Sequence, residues 1–181
     1  RKSPREQLRP TQSSDGNVAK GTSPNIEFDD HDLLWKIENH ISTNEVADNN
    51  VVLTIHVSDM RERVLIQNCH GVSVQIHGQK MKSMMIGDCS NLNVVFDTIN
   101  NSCDIVHCKY VSIQTTGVCP TFSMERAKGI TIWLSNESMK VSNIVTSKCT
   151  EVNISLPRGS VENDDDRREL ALPERYVHQF S

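Results

Sequence analysis

A chain of 181 residues with a formal net charge of −4 has room for one domain. No stretch approaches the roughly 18 apolar residues of a membrane span, and the start shows no signal-peptide pattern. Residues 51–156 carry nine basic and eight acidic groups, a balance that lacks the basic stripe of a nucleic-acid surface.

Residues 1–24 are rich in Ser, Thr, Pro, Gly and charge, with five basic and two acidic groups, and are expected to be a disordered leader. The missing initiator Met is expected of a piece cut from a longer precursor. Ile26 to Ile41 then supplies Phe28, Leu33, Leu34, Trp35 and Ile37, enough apolar mass to cap whatever follows. Val51 to Val57 is a β-branched run, and Val64 opens a five-fold echo. Cys69, Cys89, Cys108, Ala127 and Cys149 occupy equivalent points, separated by 20, 19, 19 and 22 residues. Three, five and seven residues beyond each comes an apolar ladder: Val72, Val74, Ile76 in the first unit; Ile130, Ile132, Leu134 in the fourth. Three and five residues before each come pairs such as Ile66 and Val64, and only Thr115 and Thr146 interrupt the apolar columns.

Alternation of period two means strands with one buried face, and a fixed period near twenty means stacked coils. Two strands per unit, meeting at a small residue, predict an all-β fold: a right-handed parallel β-helix of about six coils over residues 25–160. Cys and Ala suit the narrow corner because a free thiol packs as a small hydrophobe. After Leu156, Pro157-Arg158-Gly159 breaks the pattern, and residues 161–181 read as an acidic loop and a tail able to fold back.

The six cysteines include no C-x-x-C pair, so packing in a reducing compartment is expected over a disulfide or metal role. The seven histidines lack ligand spacing, and His70, His77 and His107 fall beside turns. No metal or cofactor is expected. Six residues after each corner lie Gln75, Val95, Gln114, Trp133 and Ser155, pointing outward. Val95 and Trp133 break the polar rule kept by Ser73, Asn93, Ser112, Thr131 and Asn153, and an exposed aromatic beside an aliphatic marks either an interface or a column covered by the chain's own ends. Lys80, Lys82, Lys109, Glu125, Arg126, Lys128 and Lys148 lie at turns or outward positions, as a basic rim or as plain solvated turns.

In this register, residues 25–176 resemble the C-terminal domain of cyclase-associated proteins, the actin-monomer regulators. The resemblance is carried by Trp35-Lys36-Ile37-Glu38-Asn39, Asn93-Val94-Val95-Phe96-Asp97, Pro120-Thr121-Phe122-Ser123, Leu134-Ser135-Asn136-Glu137-Ser138 and Leu172-Pro173-Glu174-Arg175, in order and in phase with the coil. It implies a cytoplasmic, cytoskeleton-associated binding protein rather than an enzyme, one that holds monomeric actin, prefers its ADP form, and recycles or sequesters it. It also implies a homodimer made through an exchanged C-terminal hairpin, although here only Tyr176 to Ser181 follow the Leu-Pro-Glu-Arg stretch. The proline-rich and actin-binding motifs that usually precede the domain are not recognisable in residues 1–24, and adenylyl cyclase contact is not implied. The residues expected at an actin or dimer interface are Val95, Gln114, Trp133, Lys80, Lys82, Lys109, Arg126, Lys128, Pro173, Glu174 and Tyr176.

The alternative is a GTPase-activating domain, because tubulin-folding cofactor C resembles this fold and works with an arginine finger in a Gln-x-Arg pattern. Met124-Glu125-Arg126 and Asp59-Met60-Arg61-Glu62-Arg63 both lack the Gln. A carbohydrate-active β-helix would need clustered carboxylates, and the body's eight acids are dispersed.

Overall fold

Each repeat contributes one strand to each of two parallel sheets. The computed structural model describes residues 23–42, 51–158 and 167–173; the leader and the acidic loop lie largely or wholly outside these. The first sheet holds β1 (Asn25–Asp29), β2 (Leu34–Glu38), β4 (Arg63–Gln67), β6 (Ser83–Gly87), β8 (Ser102–Val106), β10 (Thr121–Glu125) and β12 (Asn143–Ser147), in that spatial order. The second holds β3 (Val51–Val57), β5 (Val72–Gly78), β7 (Ser90–Phe96), β9 (Lys109–Thr115), β11 (Lys128–Trp133), β13 (Thr150–Pro157) and β14 (Arg167–Leu172). Neighbours are parallel except at the two ends, where β1 runs against β2 and β14 against β13. The result is a β-solenoid of about 5 turns. The expected six coils count the six parallel strands of each sheet, but the first and last of these are only the ends of the winding.

The inward columns of both sheets merge into one core, with Phe96 and Phe122 as its largest fully buried side chains. Thr115 is buried in its ladder because its hydroxyl donates to the Asp97 carbonyl at 2.8 Å, so the polar atom is satisfied. In the last coil Ile144, Thr146 and Leu156 are only half-buried, and β12 has a strand on one side alone among the described residues.

The thiol corner, where each coil passes from the first sheet to the second, is built from two left-handed residues. The residue before the small one has positive φ in every coil: Asn68, Asp88, His107, Arg126 and Lys148. So does the residue two beyond it: Gly71, Asn91, Tyr110, Gly129 and Glu151. Left-handed backbone costs about 1–2 kcal/mol for an ordinary residue and less for Asn or Asp. The corner retains it because backbone pairing continues straight through the bend. Asp88 N–H donates to Val106 O at 3.1 Å and His107 N–H to Glu125 O at 3.0 Å, while Lys109 and Lys128 N–H reach the Cys89 and Cys108 carbonyls at 3.0 and 2.9 Å.

Size alone does not explain the cysteines. The Cys69, Cys89, Cys108 and Cys149 thiols each donate to the carbonyl two residues back, at 3.4, 3.1, 3.3 and 3.3 Å. Cys is therefore a small apolar filler that also serves a carbonyl at the bend. Cys119, outside the ladder, is buried at the opposite bend and donates to Thr121 O at 3.3 Å.

At the leading end, β1 and β2 form the expected cap. Phe28 packs its ring 4.9 Å from that of Trp35. The Trp35 indole N–H donates to the buried Glu62 carboxylate at 2.8 Å, and Ser58 Oγ donates to its other oxygen at 2.9 Å. The longer 22-residue unit is taken up before β12 by α1 (Ser138–Val141), a single turn whose Ser138 is buried beneath Cys119 N–H at 3.2 Å.

Candidate interaction surfaces

Strand register decides which outward side chains are neighbours. Gln75, Val95, Gln114, Trp133 and Ser155 stand in one column across the second sheet, as the alternation predicts. The top of that column is covered. Ser155 is 1% exposed beneath Arg167 of β14, whose Nε donates to its hydroxyl at 2.9 Å. Arg167 Nη2 also donates to Leu134 O at 2.6 Å and Ser155 O at 3.0 Å, and its guanidinium lies 5.3 Å above the Trp133 ring. The Trp133 indole N–H donates to Ser112 Oγ at 3.1 Å. Trp133 is thus half-buried by the chain itself, while Val95 is half-buried and Gln114 exposed. Together with Asn93, Ser112 and Arg167 they bound a shallow depression open to solvent.

The basic residues do not form one rim. Lys109 and Lys128 are register partners on adjacent coils at the thiol corner, with Arg126 and Lys148 beside them. Lys80 and Lys82 fall at the opposite bend, a strand length of roughly 20 Å away. Lys80 there borders a polar cleft with Asp97, Asn100 and Glu137. Arg126 is engaged by its neighbours: Nη1 lies 3.1 Å from His107 Nε2 and Nε 3.7 Å from Glu125. Lys128 Nζ sits 3.1 Å from Glu151. In the other arginine-finger stretch, Arg61 is forked onto Asp59 at 2.7 and 3.1 Å and Arg63 Nη2 donates to Asp32 O at 3.1 Å. Pro173 follows β14 and is exposed, whereas Glu174 and Tyr176 lie outside the described residues.

Three of the thiols are held as poor nucleophiles, while Cys69 and Cys108 are shifted the other way, lowered by hydrogen bonding with the Cys89 thiol between them. Burial pushes the Cys119 thiol up to about 12 and Cys103 well above the usual thiol range. Cys89 is raised as well, by hydrogen bonding with the Cys108 and Cys69 thiols on either side and by burial. All three therefore stay protonated at neutral pH. Among the described residues no three His, Cys, Asp or Glu gather as metal ligands, and no helix is long and apolar enough to cross a membrane.

Two features of these surfaces escaped the sequence. Arg167 lay in a segment classed as charged loop, although the alternation of β14 is too weak to be read. Tyr110 is 54% exposed at a left-handed position. Its only signal was a Tyr two residues past a corner, where Gly or Asn stands in three of the other four units.

A solenoid of this kind is a rigid scaffold that presents columns of side chains on fixed spacings. The chain belongs to the cyclase-associated protein family: the family model described as adenylate cyclase associated (CAP) C terminal matches residues 22–181. It is 35% identical over 166 residues to the adenylyl cyclase-associated protein of Dictyostelium discoideum, covering 91% of this chain and 33% of that one. It is 31% identical to cyclase-associated protein 1 of Arabidopsis thaliana over 147 residues, covering 81% of this chain and 29% of the relative. The crystal structure of the cyclase-associated protein from Cryptosporidium parvum superposes with a TM-score of 0.77 at 25% identity, covering 92% of this chain and 93% of that one. The chain thus spans about a third of the length of these curated relatives.

Proposed function

We propose that this chain binds monomeric actin in the cytoplasm, prefers the ADP form, and either sequesters it or speeds its nucleotide exchange. The observation that carries this is a family match running through the entire solenoid, so the surfaces described above belong to the matched unit. Exchange would arise from differential affinity for actin's nucleotide states: to loosen ADP the chain must hold actin more tightly once ADP has left, whereas a preference for ADP-actin over ATP-actin alone sets which form it collects.

Two surfaces are candidates for contact. The outward column of Val95, Gln114 and Trp133 offers an aromatic anchor flanked by polar groups, the usual make-up of a hot spot. Lys109, Arg126 and Lys128 at the thiol corner, with Lys80 and Lys82 at the opposite bend, would steer an acidic partner. Pairing of two copies is proposed through the end bearing β14 and the tail residues Pro173, Glu174 and Tyr176. The unpaired outer edge of β14 among the described residues supports it, since an open edge invites another strand.

The test is the affinity of the chain for ADP-actin and ATP-actin monomers, with nucleotide release followed in the same samples and sedimentation reporting the oligomeric state. Tighter ADP-actin binding with faster release supports recycling, and tighter binding with unchanged release supports sequestration. No binding to either form overturns the reading.

A further inference from the structure

The left-handed positions at the thiol corner divide by coil. The leading coils fill them with residues that tolerate this backbone: Asn68, Gly71, Asp88 and Asn91. The trailing coils keep the tolerant His107 and Gly129 but fill the other four positions with Tyr110, Arg126, Lys148 and Glu151, which are ill suited, although Asn or Gly would satisfy the same bend at less cost. Ill-suited residues retained side by side in strained backbone point to a function for their side chains.

Those side chains compose a surface. The Tyr110 ring lies across the backbone of Gly129 on the next coil. A β-carbon at Gly129 would stand 2.6 Å from Tyr110 Cδ1 and 3.0 Å from Cε1, so glycine is what lets the ring lie flat. Gly129 also has φ +67°. Around this platform stand four exposed cations, Lys109, Arg126, Lys128 and Lys148. Three carboxylates share the corner, each already engaged: Asp88 with His107 at 3.6 Å, Glu125 with Arg126 at 3.7 Å, Glu151 with Lys128 at 3.1 Å. Lys109 and Lys148 make no ion pair among the described residues.

We infer that this corner is a docking site for an extended acidic segment of a partner protein, with an apolar side chain of that segment resting on the Tyr110 ring. Three coils at about 4.8 Å spacing span about 10 Å, the reach of three to four extended residues. The near-balanced charge of residues 51–156 favours such a segment over a nucleic acid, whose backbone needs a continuous basic track. Lys109, Arg126 and Lys128 are shared with the surface proposed above to steer actin, so the peptide is measured with actin absent.

The test is fluorescence anisotropy with the whole chain and a short labelled peptide of glutamates flanking one leucine, against a version with lysines for glutamates and a single-stranded RNA. The glutamate peptide binds, more weakly as salt rises, and the lysine version does not. Tyr110→Asn, which suits the left-handed backbone, keeps the melting temperature and weakens the peptide about tenfold. Lys109→Glu with Lys148→Glu weakens it further and flattens the salt dependence. Failure of the glutamate peptide to bind, equal affinity in Tyr110→Asn, or tighter binding of the RNA overturns the assignment. Actin affinity measured in parallel on the same preparations separates the two claims: a chain that holds actin but not the peptide loses this one and keeps the other.

Discussion

Replacing Arg167 with Ala tests how β14 is held. Six residues of β14 pair with β13, yet Arg168, Glu169, Leu170 and Ala171 are exposed, so little apolar burial fastens the strand. Arg167 supplies the side-chain anchor through its bonds to Ser155 Oγ, Ser155 O and Leu134 O and its place over Trp133. Hydrogen bonds from a charged donor are worth about 1.5–3 kcal/mol each, and an exposed cation–π contact about 0.5–1 kcal/mol. Arg167 is half-exposed and water will replace part of what is lost, so the sum is discounted to about 2–3 kcal/mol. At about 1.4 kcal/mol per tenfold, Arg167→Ala should lower the protection of β14 amides against hydrogen exchange by about 30- to 150-fold. The β9 amides, well inside the stack, should not change. Trp133 fluorescence should shift to the red as its shelf is lost. Arg167→Lys should recover only a fraction, because an ammonium lacks the rigid planar fork that spans Ser155 and Leu134 and the flat face that stacks on Trp133. Unchanged β14 protection in Arg167→Ala would refute the argument and leave backbone pairing as the only fastener.

Gly78→Ala should cost at least about 2 kcal/mol, read as a fall in urea midpoint: φ is +110°, and the new β-carbon would overlap Val57 O and press within 2.9 Å of the His56 ring. Stability should fall above about pH 9, because folded Cys119, held near 12, keeps a proton that the unfolded thiol releases. Its contribution is complete below the unfolded pKa and is lost at about 1.4 kcal/mol per unit as pH rises towards 12. Urea midpoints at pH 8, 9 and 10 should drop less steeply in Cys119→Ala, and equal slopes would sink this. Trp133→Ala should weaken actin about tenfold, and an equal loss in Arg167→Ala would assign the effect to β14 docking instead of direct contact.

The interior was legible because one rule governs it. Each buried column must be apolar at period two, each corner small, and any departure such as Thr115 must find a carbonyl; five units repeat the statement until it is unambiguous. What stayed hidden was the geometry of the bends. No local pattern reveals that Arg126 and Lys148 occupy left-handed backbone, since their side chains tolerate many other settings. Nor could spacing along the chain show that Lys80 and Lys109 face opposite ends of the coil's cross-section. Arg167 was illegible for a different reason: β14 has few buried side chains and therefore no alternation.

A stacked coil separates the two demands placed on its residues. Every inward position is constrained by its neighbours above and below, but an outward position is constrained far less by packing, and a polar residue there is the default. Trp133 and Val95 forgo that default on one face, and Tyr110, Arg126 and Lys148 forgo easier backbone at the corner. Trp133, Tyr110, Arg126 and Lys148 sit on trailing coils, towards the end that β14 closes, and Val95 on the coil just before them. If recognition lives in departures that folding does not require, substitutions to the local norm should leave stability intact while removing binding. Tyr110→Asn meets that condition most directly, because it relaxes the backbone as it deletes the ring.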